Sequence, residues 1–202
     1  MIEHRARALN LSYFTVGYNL LEGLLSIVFA LIAGSSALLG FGIDSFVESL
    51  SGTVMIWRFT RLGDLSSAKE AERERVAIRL VGISLMLLGG YVVFEAVEML
   101  YYDQRPDRNP AGLLIACLSL VVMPILFTLK RRTADALRSR SLAADAKQTF
   151  ACILLSVTLL VGSGLHYVTG FWQADPIAGL LIAAFLVREG HKAWREQDLC
   201  CC

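Results

Sequence analysis

Six stretches of apolar sequence, each about twenty residues long, account for most of this chain of 202 residues. They fall at roughly residues 11–33, 36–57, 78–101, 110–129, 142–167 and 172–193. At a rise of about 1.5 Å per residue, such a length carries an α-helix across about 30 Å of hydrocarbon. Lipid offers no hydrogen bonds, so a spanning backbone must satisfy its own polar groups, and a series of such segments folds as a bundle of helices. Composition agrees, with 55% of residues hydrophobic and 18% charged, outside the usual range for a soluble domain. The expected fold class is an all-α integral membrane protein of six transmembrane helices. One domain over residues 1–202 is expected, with no C-terminal soluble domain, since only "REQDLCCC" follows the last helix.

Charge orients the bundle. Sixteen of the nineteen Lys and Arg residues, Lys130 among them, lie at the N-terminus, in the second and fourth connections and at the C-terminal end. An excess of basic residues marks the cytoplasmic side, so both termini are expected to be cytoplasmic. The N-terminal segment leads into an apolar stretch too long for a signal peptide and reads as a retained first helix. In the second connection Ser67 and Glu70 have capping-box spacing, which predicts that the third helix begins in the cytosol with its Glu and Arg residues on a solvated face. The basic residues form no continuous stripe, and a net charge of +1 gives no sign of a nucleic-acid partner. The five cysteines suggest no disulfide framework.

Ionisable groups inside spanning helices are costly and usually face a cavity or a partner. In "GFGIDSFVESLSG", Asp44 and Glu48 stand one turn apart on one helical face that Ser51 continues. Ser45, Ser49 and Gly52 form a neighbouring strip of small residues where another helix can approach closely. Counting from the basic end of each helix puts Glu48 roughly 14 Å deep, Asp44 roughly 20 Å, Glu22 roughly 16 Å and Cys152 roughly 15 Å. In "LAADAKQTFACIL", Asp145, Gln148 and Cys152 share a face at i, i+3 and i+7. Carboxylates combined with a thiolate suit a borderline divalent ion such as Zn²⁺ better than Mg²⁺ or Ca²⁺. The acids can equally be hydrogen-bonded within the bundle or serve a proton path, and a buried cysteine can be simple packing. Asn19 and Glu22 on the first helix are further candidates for lining the same space. Glu95 and Glu98 read as packing or vestibule residues, and Lys147 reads as snorkelling to the cytoplasmic boundary.

Taken together, "YNLLEGLLSIVFALIAGSSALLGFGIDSFVES", "VVFEAVEML", "SLAADAKQTF" and "WQADPIAGLLIAAFLVREG" resemble the transmembrane domain of the cation diffusion facilitators, in this order and spacing. The resemblance covers nearly the whole chain. It implies a CDF-like bundle that exports divalent metal in exchange for protons, works as a homodimer and carries metal on two acids of the second helix, which match Asp44 and Glu48. The family's His and Asp on the fifth helix correspond to Gln148 and Cys152, so that half of the site is altered. A thiolate can replace a carboxylate as an anionic ligand, while an amide is a poor substitute for imidazole. The expected metal residues are therefore Asp44, Glu48, Cys152 and Asp145, lined by Gln148, Glu22, Asn19 and Ser51. Many members add a cytoplasmic C-terminal domain, which is expected to be lacking here.

The function expected is secondary-active efflux of a divalent metal ion, Zn²⁺ or a similar transition metal, by proton antiport. The setting is a multi-pass protein of the plasma membrane, the inner membrane in a bacterium, with metal cations, protons and lipid as partners. The metal is cargo, and no permanent cofactor is expected. Loss of the His and Asp pair leaves an alternative: a membrane-embedded metal-binding regulatory or interaction protein that no longer transports. The terminal Cys200, Cys201 and Cys202 read either as a cytosolic metal-capture point or as a thiol-bearing tail. No nucleophile triad, HExxH pattern or phosphate loop points to an enzyme.

Overall fold

The structure, a computed structural model, describes residues 2–33, 36–61, 66–102, 110–169 and 173–196. The apolar stretches all become helices, and the fold is an all-α membrane bundle: α1 (Ile2–Ala33), α2 (Ser36–Phe59), α3 (Ser67–Tyr101), α4 (Pro110–Leu137), α5 (Arg140–Thr169) and α6 (Ala174–Glu196). Among the described residues, four stretches, Glu3–Ile32, Ser67–Tyr101, Gly112–Leu137 and Arg140–Val161, are long and apolar enough to cross a membrane by those criteria alone. The acids, serines and glycines of α2, and the charges of α6 from Arg188 onward, dilute the apolar character of the other two.

Polarity is distributed as lipid demands. Leu31, Ile32, Leu87, Leu114 and Leu181 point outward at 67–75% exposure, whereas Asp44, Glu48, Lys130 and Asp145 are buried. Outward leucines cost nothing against lipid tails, while charged groups must find partners inside the bundle.

Helices extend past the apolar stretches wherever nothing stops them. "LKRRTADAL" contains neither Gly nor Pro, and α4 runs through it to Leu137 instead of ending near 129. At α3 the cap differs from the expectation. Ser66, extended at φ −63° and ψ 150°, is the capping residue, and its side chain makes no cap bond. Ser67 is already helical, so the Ser67 and Glu70 capping box does not form.

α1 packs chiefly on α2, α3 on α6 and α4 on α5. Small residues set two of these contacts. A Cβ on Gly190 of α6 would lie 2.7 Å from the Gly82 carbonyl oxygen of α3, so the backbones there touch. The strip of Ser45, Ser49 and Gly52 meets α1 as its composition predicts. Ser45 Oγ donates to Glu22 Oε2 at 3.0 Å, and a Cβ on Gly52 would sit 2.9 Å from Val16.

The α4–α5 turn is tight. Arg138 takes a left-handed φ of 50°, and Ser139 N donates to Ala134 O at 2.9 Å. Glu74 of α3 secures this turn instead of lying on a solvated face. Its carboxylate accepts Ser141 N at 2.9 Å and Ser141 Oγ at 2.7 Å, and it pairs with Arg58 of α2. Replacing Glu74 with Ala removes the acceptor of Ser141 N at the start of α5 and leaves Arg58 without this carboxylate. The expected loss is about 2–4 kcal/mol, read as earlier thermal unfolding in detergent. An unchanged melt would remove these bonds from the account of stability.

Candidate metal site

α2 and α5 run antiparallel past each other at the centre, and their polar faces meet. Asp44, Glu48 and Ser51 of α2 face Asp145, Gln148, Thr149 and Cys152 of α5, none more than 1% exposed. Asp44 and Ser51 are separated by seven positions, as are Asp145 and Cys152, which is about 10 Å along a helix. Because the helices are antiparallel, Ser51 lies opposite Asp145 and Asp44 opposite Cys152. The arrangement has two levels, with Glu48 between them.

At the level nearer the basic helix ends, every acid has a partner. Lys130 of α4 is fully buried, with Nζ 2.9 Å from Asp145 Oδ2, 3.5 Å from Glu48 Oε1 and 2.8 Å from Thr149 Oγ1. Thr149 Oγ1 donates in turn to Glu48 Oε1, and Ser51 Oγ donates to Asp145 Oδ1 at 2.6 Å. This level joins α2, α4 and α5 through one cation, two carboxylates and two hydroxyls.

The second level is different. Asp44 is 1% exposed, and among the described residues no nitrogen or oxygen donor reaches either of its oxygens, which have only the Cys152 thiol beside them. Glu48 Oε2, Gln148 Nε2 and both amide atoms of Asn19 are likewise buried without partners. Cys152 neighbours Asp44, and its sulfur lies 3.9 Å from Ser119 Oγ. Asp44 also lines a cavity of about 70 Å³ shared with Gly40, Tyr91, Glu95, Met99 and Gly179. The bare backbone of Gly40 makes room there for Glu95, since a Cβ at that position would lie 2.5 Å from both Glu95 carboxylate oxygens. The cavity lies toward the C-terminal end of α3 and the N-terminal end of α6, away from the basic ends.

Of the other residues singled out in the sequence, Glu22 is engaged by Tyr18 Oη and Ser45 Oγ, each at 3.0 Å, and ties α1 to α2. Gln148 Oε1 accepts from Ser84 Oγ of α3 at 3.1 Å. Lys147 is paired with Glu189 of α6 and is not simply extended to a boundary. Cys200 to Cys202 lie outside the described residues. Among the described residues, no three His, Cys, Asp or Glu side chains already converge on one point as metal ligands. Asp44 and Glu48, one turn apart on α2, and Cys152 beside Asp44 are the donors this centre offers. Two hard oxygen donors with one soft sulfur fit a borderline transition-metal ion.

Lys130, Thr149 and Ser84 were absent from the sequence-based site. Lys130 was placed in a basic connection with Arg131 and Arg132. The signal that separates it is helical spacing. Ser119, Met123, Leu126 and Lys130 fall on one stripe, all 2% exposed or less, while Arg131 and Arg132 lie on the exposed side.

A multi-pass helical bundle with carboxylates and a lysine at its centre has the build of an ion-handling membrane protein. Residues 13–197 match the cation efflux transmembrane domain, and the chain belongs to that family. Transmembrane protein 163 of Xenopus laevis is 22% identical over 190 residues, covering 94% of this chain and 66% of that protein. An uncharacterized transporter of Methanocaldococcus jannaschii is 27% identical over 174 residues, covering 84% of this chain and 61% of its own length. A cadmium, cobalt and zinc/H(+)-K(+) antiporter of Bacillus subtilis is 23% identical over 124 residues, covering 61% and 39% respectively. The chain thus spans less than two thirds of each of these relatives. The family is one of transporters, not of enzymes, and the chain is a multi-pass integral membrane protein.

Proposed function

We propose that this protein is a secondary-active divalent-metal transporter that carries Zn²⁺ or a related transition-metal ion in exchange for protons. The observation that carries the reading is Asp44: a carboxylate buried at the bundle centre on a cavity wall, with the Cys152 thiol beside it and, among the described residues, no nitrogen or oxygen donor on either oxygen. A buried carboxylate without donors is costly unless it meets a cation or a proton. An alternation between those two occupants is what metal–proton exchange requires. Asp44, Glu48 and Cys152 hold the ion in this reading. Asp145, about two turns nearer the basic ends and expected from the sequence as a ligand, is instead engaged by Lys130 and Ser51 and stands outside this ligand set. Family membership and the antiporter relative support the reading.

Binding without carriage is a second reading, favoured by Gln148 at the position where the family resemblance implies a His. One experiment separates them. Purified protein in sealed vesicles is offered a panel of divalent metals while internal metal and internal pH are followed together. Transport predicts metal movement with an opposing proton flux. Saturable binding with neither flux would leave the second reading standing.

A further inference from the structure

Lys130 is the buried cation closest to the proposed metal ligands, and its contacts are unequal. Nζ is 2.9 Å from Asp145 and 2.8 Å from Thr149 but 3.5 Å from Glu48. The ammonium is anchored on Asp145 and leans on Glu48. Its stem is locked as well, since the whole residue is buried along the stripe of Leu126 and Met123. Glu48 therefore has one oxygen committed to Lys130 and Thr149, and a second, Oε2, with no partner.

We propose that Lys130 is a built-in competitor for the transported ion: its ammonium shares the charge of Glu48 through Oε1, and a divalent cation bound at the free Oε2 draws that carboxylate, and that carboxylate alone, away from it. Lys130 then remains on Asp145 and Thr149, so displacement strands no buried charge. A fixed positive charge within a side chain's length of the ion weakens binding by like-charge repulsion in a low-dielectric interior. For a carrier this is useful. A site of two carboxylates and a thiolate with no nearby cation would hold a transition metal tightly and release it slowly, whereas Lys130 stands ready to reclaim Glu48 as the ion leaves. The proposal rests on the metal-transport reading above, and its test is arranged so that the two fail separately.

The full chain in detergent is titrated with Zn²⁺ against a chromophoric chelator, and initial zinc flux is measured in vesicles. K130M is expected to bind Zn²⁺ about tenfold more tightly than wild type. Its flux should show a lower KM and a lower kcat together. K130R, which keeps the charge, should bind within about threefold of wild type. A purely structural cross-link predicts the opposite sign, because its loss loosens the ligands. Should K130M fail to fold, the comparison is K130M/D145N against D145N, in which the buried pair is removed as a unit. The double variant should bind more tightly than D145N, and equal or weaker binding overturns the proposal. If wild type binds Zn²⁺ saturably and D44N does not, but folded K130M matches wild type or binds more weakly, this inference alone falls. If wild type itself shows no saturable binding, the transport reading falls and takes this inference with it.

Discussion

Asp44→Asn is expected to lower metal-dependent flux in vesicles at least about a hundredfold, roughly 2.7 kcal/mol, while leaving the protein as stable as wild type or more so. The two halves of this expectation come from one observation. Asp44 is buried with no nitrogen or oxygen donor on its carboxylate and only the Cys152 thiol beside it, so its charge adds little to holding α2 in place. An amide of the same shape lowers the cost of that burial, and the thermal midpoint in detergent should hold or rise. The metal loses an anionic ligand, and an amide cannot alternate between proton and metal as a carboxylate does. Stability gained where activity is lost is the signature of a group kept for function. A large drop in midpoint with D44N would instead make Asp44 a structural residue, and undiminished flux would remove it from the transport path.

Glu48 should behave differently, and the contrast shows how far the sequence could be read. Both acids are legible as one inward face from their spacing, and the structure buries them on that face. The bundle itself was also legible, because twenty-residue apolar stretches leave a spanning helix as their only solution. The different surroundings of Asp44 and Glu48 were not. One oxygen of Glu48 is held by Lys130 of α4 and Thr149 of α5, far along the chain, and no local pattern announces such a pairing. A lysine next to two arginines at the end of an apolar stretch is ordinarily placed in water, since burying a charge is costly until its partners are known. The same default put Glu74 on a solvated face, although Ser141 and Arg58 hold it inside. Helix ends were missed for a simpler reason. Apolar length marks where lipid stops, while the helices continue until a residue breaks them, as α4 does through Lys130 to Leu137.

Cys152 carries the second large effect. It is fully buried, and it occupies the α5 position closest to Asp44. A thiolate prefers soft and borderline ions, while a carboxylate or hydroxyl oxygen tolerates hard ones. Cys152→Ser keeps the size and the local contact to Ser119 but withdraws the soft donor. Uptake of Cd²⁺ and Zn²⁺ relative to Mn²⁺ is expected to fall by at least about tenfold, or roughly 1.4 kcal/mol. Cys152→Asp restores an anionic ligand of hard character, so its total flux should exceed that of Cys152→Ser while its preference moves further toward Mn²⁺. The competition assay across these three ions reads both variants in one experiment. If both keep the wild-type order of metals, the thiol is packing, and the ion is held by Asp44 and Glu48 without it. If both shift in the stated order, Cys152, where the family resemblance implies an Asp, sets which metal the bundle accepts.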